Sequence, residues 1–239
     1  MNLIVRLTLG IFSLILVSAC TAISEEECRL GDWYQVGLQD GQAGKKNYAA
    51  TYNKDCSEYK VKVDRTLYNE GRAEGLKSFC TYENGVVQGS SLNGYSRVCP
   101  ASLSKAFLDG YTPHYNLAKA KRAVGDAESK LADIKSQLGE ENLEKDKKKN
   151  LKSQLKSATA RLERAQSEMR KQEMTVELHK TNREIEHIQA QLDAGDLSST
   201  RTQQLAKRRD KLIEKRDFIE KLNQASNTII TIKDLADMF

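Results

Sequence analysis

Five cysteines and a recurrent glycine spacing are the residues whose type and position could do chemistry in this chain. The stretch Asp32–Gly44, DWYQVGLQDGQAG, sets glycines at 37, 41 and 44, and a shorter version returns 34 residues later as Tyr68, Gly71, Glu74 and Gly75 in place of Tyr34, Gly37, Asp40 and Gly41. Glycine-rich segments can cradle phosphates, but a dinucleotide loop needs G-x-G-x-x-G and a P-loop needs G-x-x-x-x-G-K-[ST], and neither spacing occurs here. An EF-hand needs oxygen ligands at alternate positions, and Asp40 stands nearly alone. On a helix, by contrast, Tyr34, Gly37, Gly41 and Gly44 fall within about 80° of arc, as do Tyr68, Gly71 and Gly75. The pattern predicts two soluble helices whose glycine grooves, flanked by aromatic rings, pack against each other. Asp40 and Glu74 then hold equivalent positions. A site in which they face each other and bind a cation or a sugar is the one ligand constellation the sequence offers.

Cys28, Cys56, Cys80 and Cys99 form an even set in a segment too small for a large core, which predicts two disulfides in an oxidising compartment. Three pairings are possible. The sequential one, Cys28 with Cys56 and Cys80 with Cys99, closes the shortest loops. No C-x-x-C pair occurs and no histidine lies nearby, which argues against zinc. A third, degraded copy of the glycine pattern is Phe107-Leu-Asp-Gly110, and the segment 84–95, dense in turn formers, reads as a loop or small hairpin.

Cys20 has a different context. Residues 1–19 carry one early arginine, Arg6, and an apolar run from about Leu7 to Val17, too short for the roughly 20 residues that span a bilayer. The ending Val17-Ser18-Ala19-Cys20 resembles a bacterial lipobox, which implies cleavage before Cys20 and its acylation. Thr21 rather than aspartate follows, which favours the outer membrane. The acidic spacer Thr21–Glu27 reaches at most about 25 Å, so the first folded part is expected close to the bilayer. Loss of Arg6 takes the formal charge from +5 to +4. An exported chain of that charge meets lipid head groups and cell wall rather than nucleic acid.

The run C-x4-W-x3-G-x2-D-G-x2-G, then Y-x2-G-x3-G-L-x3-C, G-Y-x3-C-P and F-x2-G-Y is carried by Cys28, Trp33, Gly37, Asp40, Gly41, Gly44, Tyr68, Gly71, Gly75, Leu76, Cys80, Gly94, Tyr95, Cys99, Pro100, Phe107, Gly110 and Tyr111. It resembles an uncharacterised family of small Gram-negative lipoproteins classed as a domain of unknown function, over about residues 20–115. The resemblance implies a shared fold and envelope localisation, and no activity.

Beyond it the composition shifts to Ala, Lys, Glu, Gln, Leu and Arg. Leu117, Val124, Leu131 and Leu138, with Ala120, Ala127 and Ile134 between them, make a heptad seam that predicts a coiled coil. Helices are expected at about 114–138, 143–193 and 198–225, running antiparallel, with a change of phase near Met174. A basic cluster at Lys145, Lys147, Lys148 and Lys149 reads as a solvated face, and 226–239 as a tail that folds back or docks a partner.

The sequence therefore predicts a mainly α chain: signal peptide 1–19, lipidated linker 20–27, a disulfide-stapled helical head 28–115 with a loop or hairpin, helices over 116–225, and a tail. No nucleophile, base and orienting residue can be assembled, and no cofactor is implied. The expected role is a non-enzymatic, outer-membrane-anchored protein that binds an envelope protein or itself through the coiled coil. A small-ligand or peptidoglycan-binding head is the alternative.

Overall fold

In a computed structural model, residues 23–224 are described, and they form eight helices with no strand. The signal segment, Cys20 and residues 226–239 lie outside the described residues. Among the described residues no helix is long and apolar enough to cross a membrane. The chain divides into two compact units between Leu76 and Lys77.

The first unit begins with α1, Glu25–Leu30. The acidic residues expected as a spacer are instead its first turn. Ser24 and Glu27 make a capping box, and three glutamates favour the positive end of the helix dipole. Gly31 stops the helix in the left-handed region at φ 66°. Then follow α2, Trp33–Gln42, α3, Ala49–Ser57, and α4, Arg65–Phe79, whose last turn enters the second unit. Cys28 is bonded to Cys56, tying α1 to α3 across a Cα–Cα distance of 5.5 Å. The core around this bridge is Trp33, Ala49, Tyr52, Val63 and Tyr68.

The second unit holds α5, Tyr82–Ser90, α6, Ala101–Leu138, α7, Lys145–Ala194, and α8, Ser199–Gln224. Helix α5 corrects the expected loop or hairpin. Thr81 caps it by accepting from Asn84 N–H, and its two glycines face α6 instead of making turns. Cys80 pairs with Cys99, stapling the connection from α5 to α6. Helix α6 is one piece through buried Pro113, so the expected head–tail boundary at 115–116 lies inside it. The loss of aromatic residues there marks a change in what the helix packs against, not an end of the helix.

Helix α6 ends at Gly139, and α7 returns antiparallel to it. Ile134 packs with Leu151 and Ala158, while Lys105 at the other end lies in the field of Glu186 and Arg183. The buried residues Ala120, Val124, Ala127 and Ile134 keep the expected spacing of three and four. Gly195, at φ 75°, ends α7, and α8 turns back along it through Arg208–Glu184 and the Lys215–Glu177 pair at 2.6 Å. The phase change expected near Met174 falls within Gln172–His179, which are all partly buried, in the part of α7 that α8 joins through Glu177 and Glu184.

Candidate functional site

The glycines bring helix backbones together. Helices α2 and α4 run parallel. A Cβ at Gly37 would strike the Tyr68 carbonyl, and one at Gly41 the Arg72 carbonyl; in return Gly71 lies on the Tyr34 carbonyl and Gly75 on the Leu38 carbonyl. Each glycine thus meets the carbonyl three residues before a glycine of the other helix, which is a local two-fold relation. Such approaches bring Cα–H groups onto carbonyl oxygens, a weak but recurrent attraction at crossings of this kind.

The same geometry is built again in the second unit. Gly85 meets the Phe107 carbonyl, Gly89 the Tyr111 carbonyl, and Gly110 the Tyr82 carbonyl. The fourth place, by the same rule, falls at His114, whose Nδ1 lies 2.7 Å from the Gly110 carbonyl oxygen. Beside this crossing Phe107, Tyr111 and Tyr115 stack along α6 at 5.6 and 5.3 Å between centroids, with Phe79 and Tyr95 against them. Arg183 of α7 lies over the Tyr82 ring, 3.5 Å from its centroid, and 3.8 Å from Glu83. The Phe107 echo thus has a partner that sequence reasoning missed. Tyr82-x2-Gly85-x3-Gly89 repeats the Tyr34 spacing without change, but Asn84-Gly85 is a local turn signal that hides it.

Gly44 is a correction. It does not line the groove, because α2 stops at Gln42 and Gly44 sits beyond it at φ 64°, in the left-handed region that ends helices.

Asp40 and Glu74 are also not brought into a shared site. Asp40 is 2% exposed, whereas Glu74 is on the surface. One Asp40 oxygen accepts from both Tyr52 Oη (2.9 Å) and Tyr68 Oη (2.8 Å), and the other from Lys45 Nζ (2.8 Å). The Tyr48 amide N–H in turn donates to Tyr68 Oη at 3.1 Å. Helix α3, which carries Tyr52, covers only the Asp40 side of the pseudo-symmetric pair and breaks its symmetry. Burial, reinforced by the carboxylate, pushes both phenols well above their ordinary range, so they stay protonated donors. The Tyr48 N–H acts on Tyr68 in the opposite sense. A carboxylate satisfied by three donors is a cross-brace joining α2, α3, α4 and the Lys45 loop. Among the described residues no three of His, Cys, Asp and Glu are grouped to hold a metal ion.

Residues 32–116 match the family model described as "Protein of unknown function (DUF2799)". The matched span opens at Asp32, the N-cap of α2, and closes one residue after Tyr115, so it contains both glycine crossings and leaves out α7 and α8. No curated protein and no solved structure matches the chain.

Proposed function

We propose that this chain is a lipid-anchored protein of the cell envelope, held at the outer membrane through Cys20, that works without catalysis by binding a second envelope protein or another copy of itself along α6–α8. The observation that carries this reading is the make-up of α7, fifty residues long with only Leu151, Ala158, Thr181 and Ile188 buried. Helix α8 adds only Leu205 and Ile219 to the buried set. Helical surface on that scale, next to a head whose grooves are already filled, is suited to holding a partner of similar shape through a coiled coil.

The head offers less to a small ligand. Main-chain carbonyls occupy both glycine grooves, and Asp40 is 2% exposed with its carboxylate already bonded to Tyr52, Tyr68 and Lys45. His114 points its Nδ1 at a backbone carbonyl of its own helix.

In-cell photo-crosslinking on the full chain tests the reading. Probes at exposed Lys148, Glu163 and Lys211 are expected to capture the partner, and probes at exposed Lys54 and Arg65 are not. Capture confined to the head positions would overturn it. Cys20→Ala is expected to move the protein from the membrane fraction to the soluble one, which separates the anchor from the binding surface.

A further inference from the structure

Near the free end of the α6–α7 pair the seam narrows to small side chains. Ala127 and Ala158, with Ile134 between them, floor a cleft whose rims are Lys130 on α6 and the α7 wall from Ser153 to Arg161. Both rim cations are exposed. Lys130 reaches Asp133 at 3.4 Å through one of its donors, and Arg161 makes no ion pair among the described residues. A hollow with an apolar floor and two cationic rims fits a segment that alternates apolar and acidic residues.

We propose that the occupant is this chain's own C-terminal segment, residues 225–239. They lie outside the described residues and enter by sequence alone, as Ile229, Ile230, Ile232, Leu235 and Phe239 with Asp234 and Asp237 against the single cation Lys233.

The register of α8 on α7 brings this segment within reach. Lys215 pairs with Glu177 and Arg208 with Glu184, so the antiparallel alignment sets Gln224, nine residues past Lys215, level with about residue 168 of α7. The cleft wall begins about 10 Å and ends about 22 Å further along α7, in the direction α8 is already travelling. Fifteen residues span about 22 Å if coiled and about 50 Å if extended, so the chain covers the distance in either form. Arg161 stands at the near end of the cleft, about 10 Å past the level of Gln224, and a coiled segment would carry Asp234, ten residues on, about 15 Å along, a difference that the long Arg161 and Lys130 side chains can span.

Carbodiimide coupling on the purified full chain, disulfides intact, tests the proposal, because it joins lysine amines only to carboxylates in contact. Peptide mass spectrometry is expected to find Lys130 joined to Asp234 or Asp237 within one chain. Arg161→Glu, an exposed substitution whose fold is checked by circular dichroism, is expected to lower that yield about two- to fivefold, the range for one exposed ion pair. No Lys130 link to either aspartate would overturn the proposal. So would a link formed only between chains in a mixture of isotopically light and heavy protein, which would assign the cleft to a second copy. An Arg161→Glu yield equal to that of the unaltered chain would also overturn it.

Discussion

Alanine at Gly37 should weaken this protein although it improves the helix. Helix propensity alone favours alanine over an interior glycine by about 1 kcal/mol. Against that, a Cβ at Gly37 stands 2.8 Å from the Tyr68 carbonyl carbon and 3.0 Å from Arg72 N, and closer still to the carbonyl oxygen. Carbon pairs rest at about 3.5–4.0 Å, so α2 and α4 must part by about 1 Å. A gap of that size forfeits up to half of each contact well along the crossing. The clash is backbone against backbone, so no side chain can rotate out of the way. Strain at the upper end of the overpacking range, about 3 kcal/mol, leaves a net loss of about 2 kcal/mol. Gly125 is the matched control, a mid-helix glycine in α6 with nothing within 4 Å of its Cβ, where alanine should stabilise by about 1 kcal/mol. Trp33, the only tryptophan and 4% exposed, reports unfolding of the first unit by fluorescence, and helix circular dichroism reports the Gly125 variant. If Gly37→Ala raised the unfolding midpoint as Gly125→Ala does, the argument that these glycines exist for close approach would be refuted.

Three further outcomes are expected. Asp40→Asn removes the charge that organises two phenols and an ammonium group, and should cost about 2–3 kcal/mol in urea unfolding followed by Trp33. Because the folded pKa values of Tyr52 and Tyr68 lie above the ordinary value of 10.0, the stability they contribute is complete below about pH 10 and is lost as pH rises past it. The loss is up to about 1.4 kcal/mol per pH unit for each phenol, read as unfolding midpoints against pH and absent for that phenol in Tyr52→Phe. Reduction of Cys28–Cys56, separated by 28 residues, should destabilise the first unit by about 3.6 kcal/mol in the chain-entropy model, measured from the Trp33 midpoint in Cys28→Ser with Cys56→Ser.

Periodicity carried most of what the sequence could reveal. From Leu138 onward the helix ends lie within one or two residues of those expected, because Gly139, Gly195 and Ser198 are local stop and start signals that act where they stand, whereas α6 begins at Ala101, thirteen residues before the expected 114. The crossing of the Tyr34 and Tyr68 segments was legible for a similar reason, since a four-residue glycine spacing has one economical use on a polar helix. Helix α5 was not legible from local rules. Asn84-Gly85 is a turn signal in isolation, and only the approach of α6, which no local rule contains, makes a helix of it. The Asp40 brace was half legible. Its position in the repeat was plain, but Tyr52 and Lys45 reach it from outside any repeat, and their arrival turned a possible ligand into a buried structural group. Arg183 over Tyr82, a contact across 101 positions of sequence, left no trace in any short window.

Because α6 is unbroken from the second glycine crossing to Gly139, it works as a lever with its fulcrum at Gly110. Twenty-nine residues of helix set the tip about 44 Å from that fulcrum. A change of ten degrees in the angle at which α5 crosses α6 would swing the tip by about 8 Å, more than the rise of a helical turn. Two backbones in contact at bare glycines set no side chains into the crossing itself, so the angle rests on what surrounds it: the Cys80–Cys99 staple, the packed rings of Phe79, Tyr95, Phe107 and Tyr111, and the grip of Arg183 upon Tyr82. Small events at the pivot are thereby converted into large displacements at the far end of the arm.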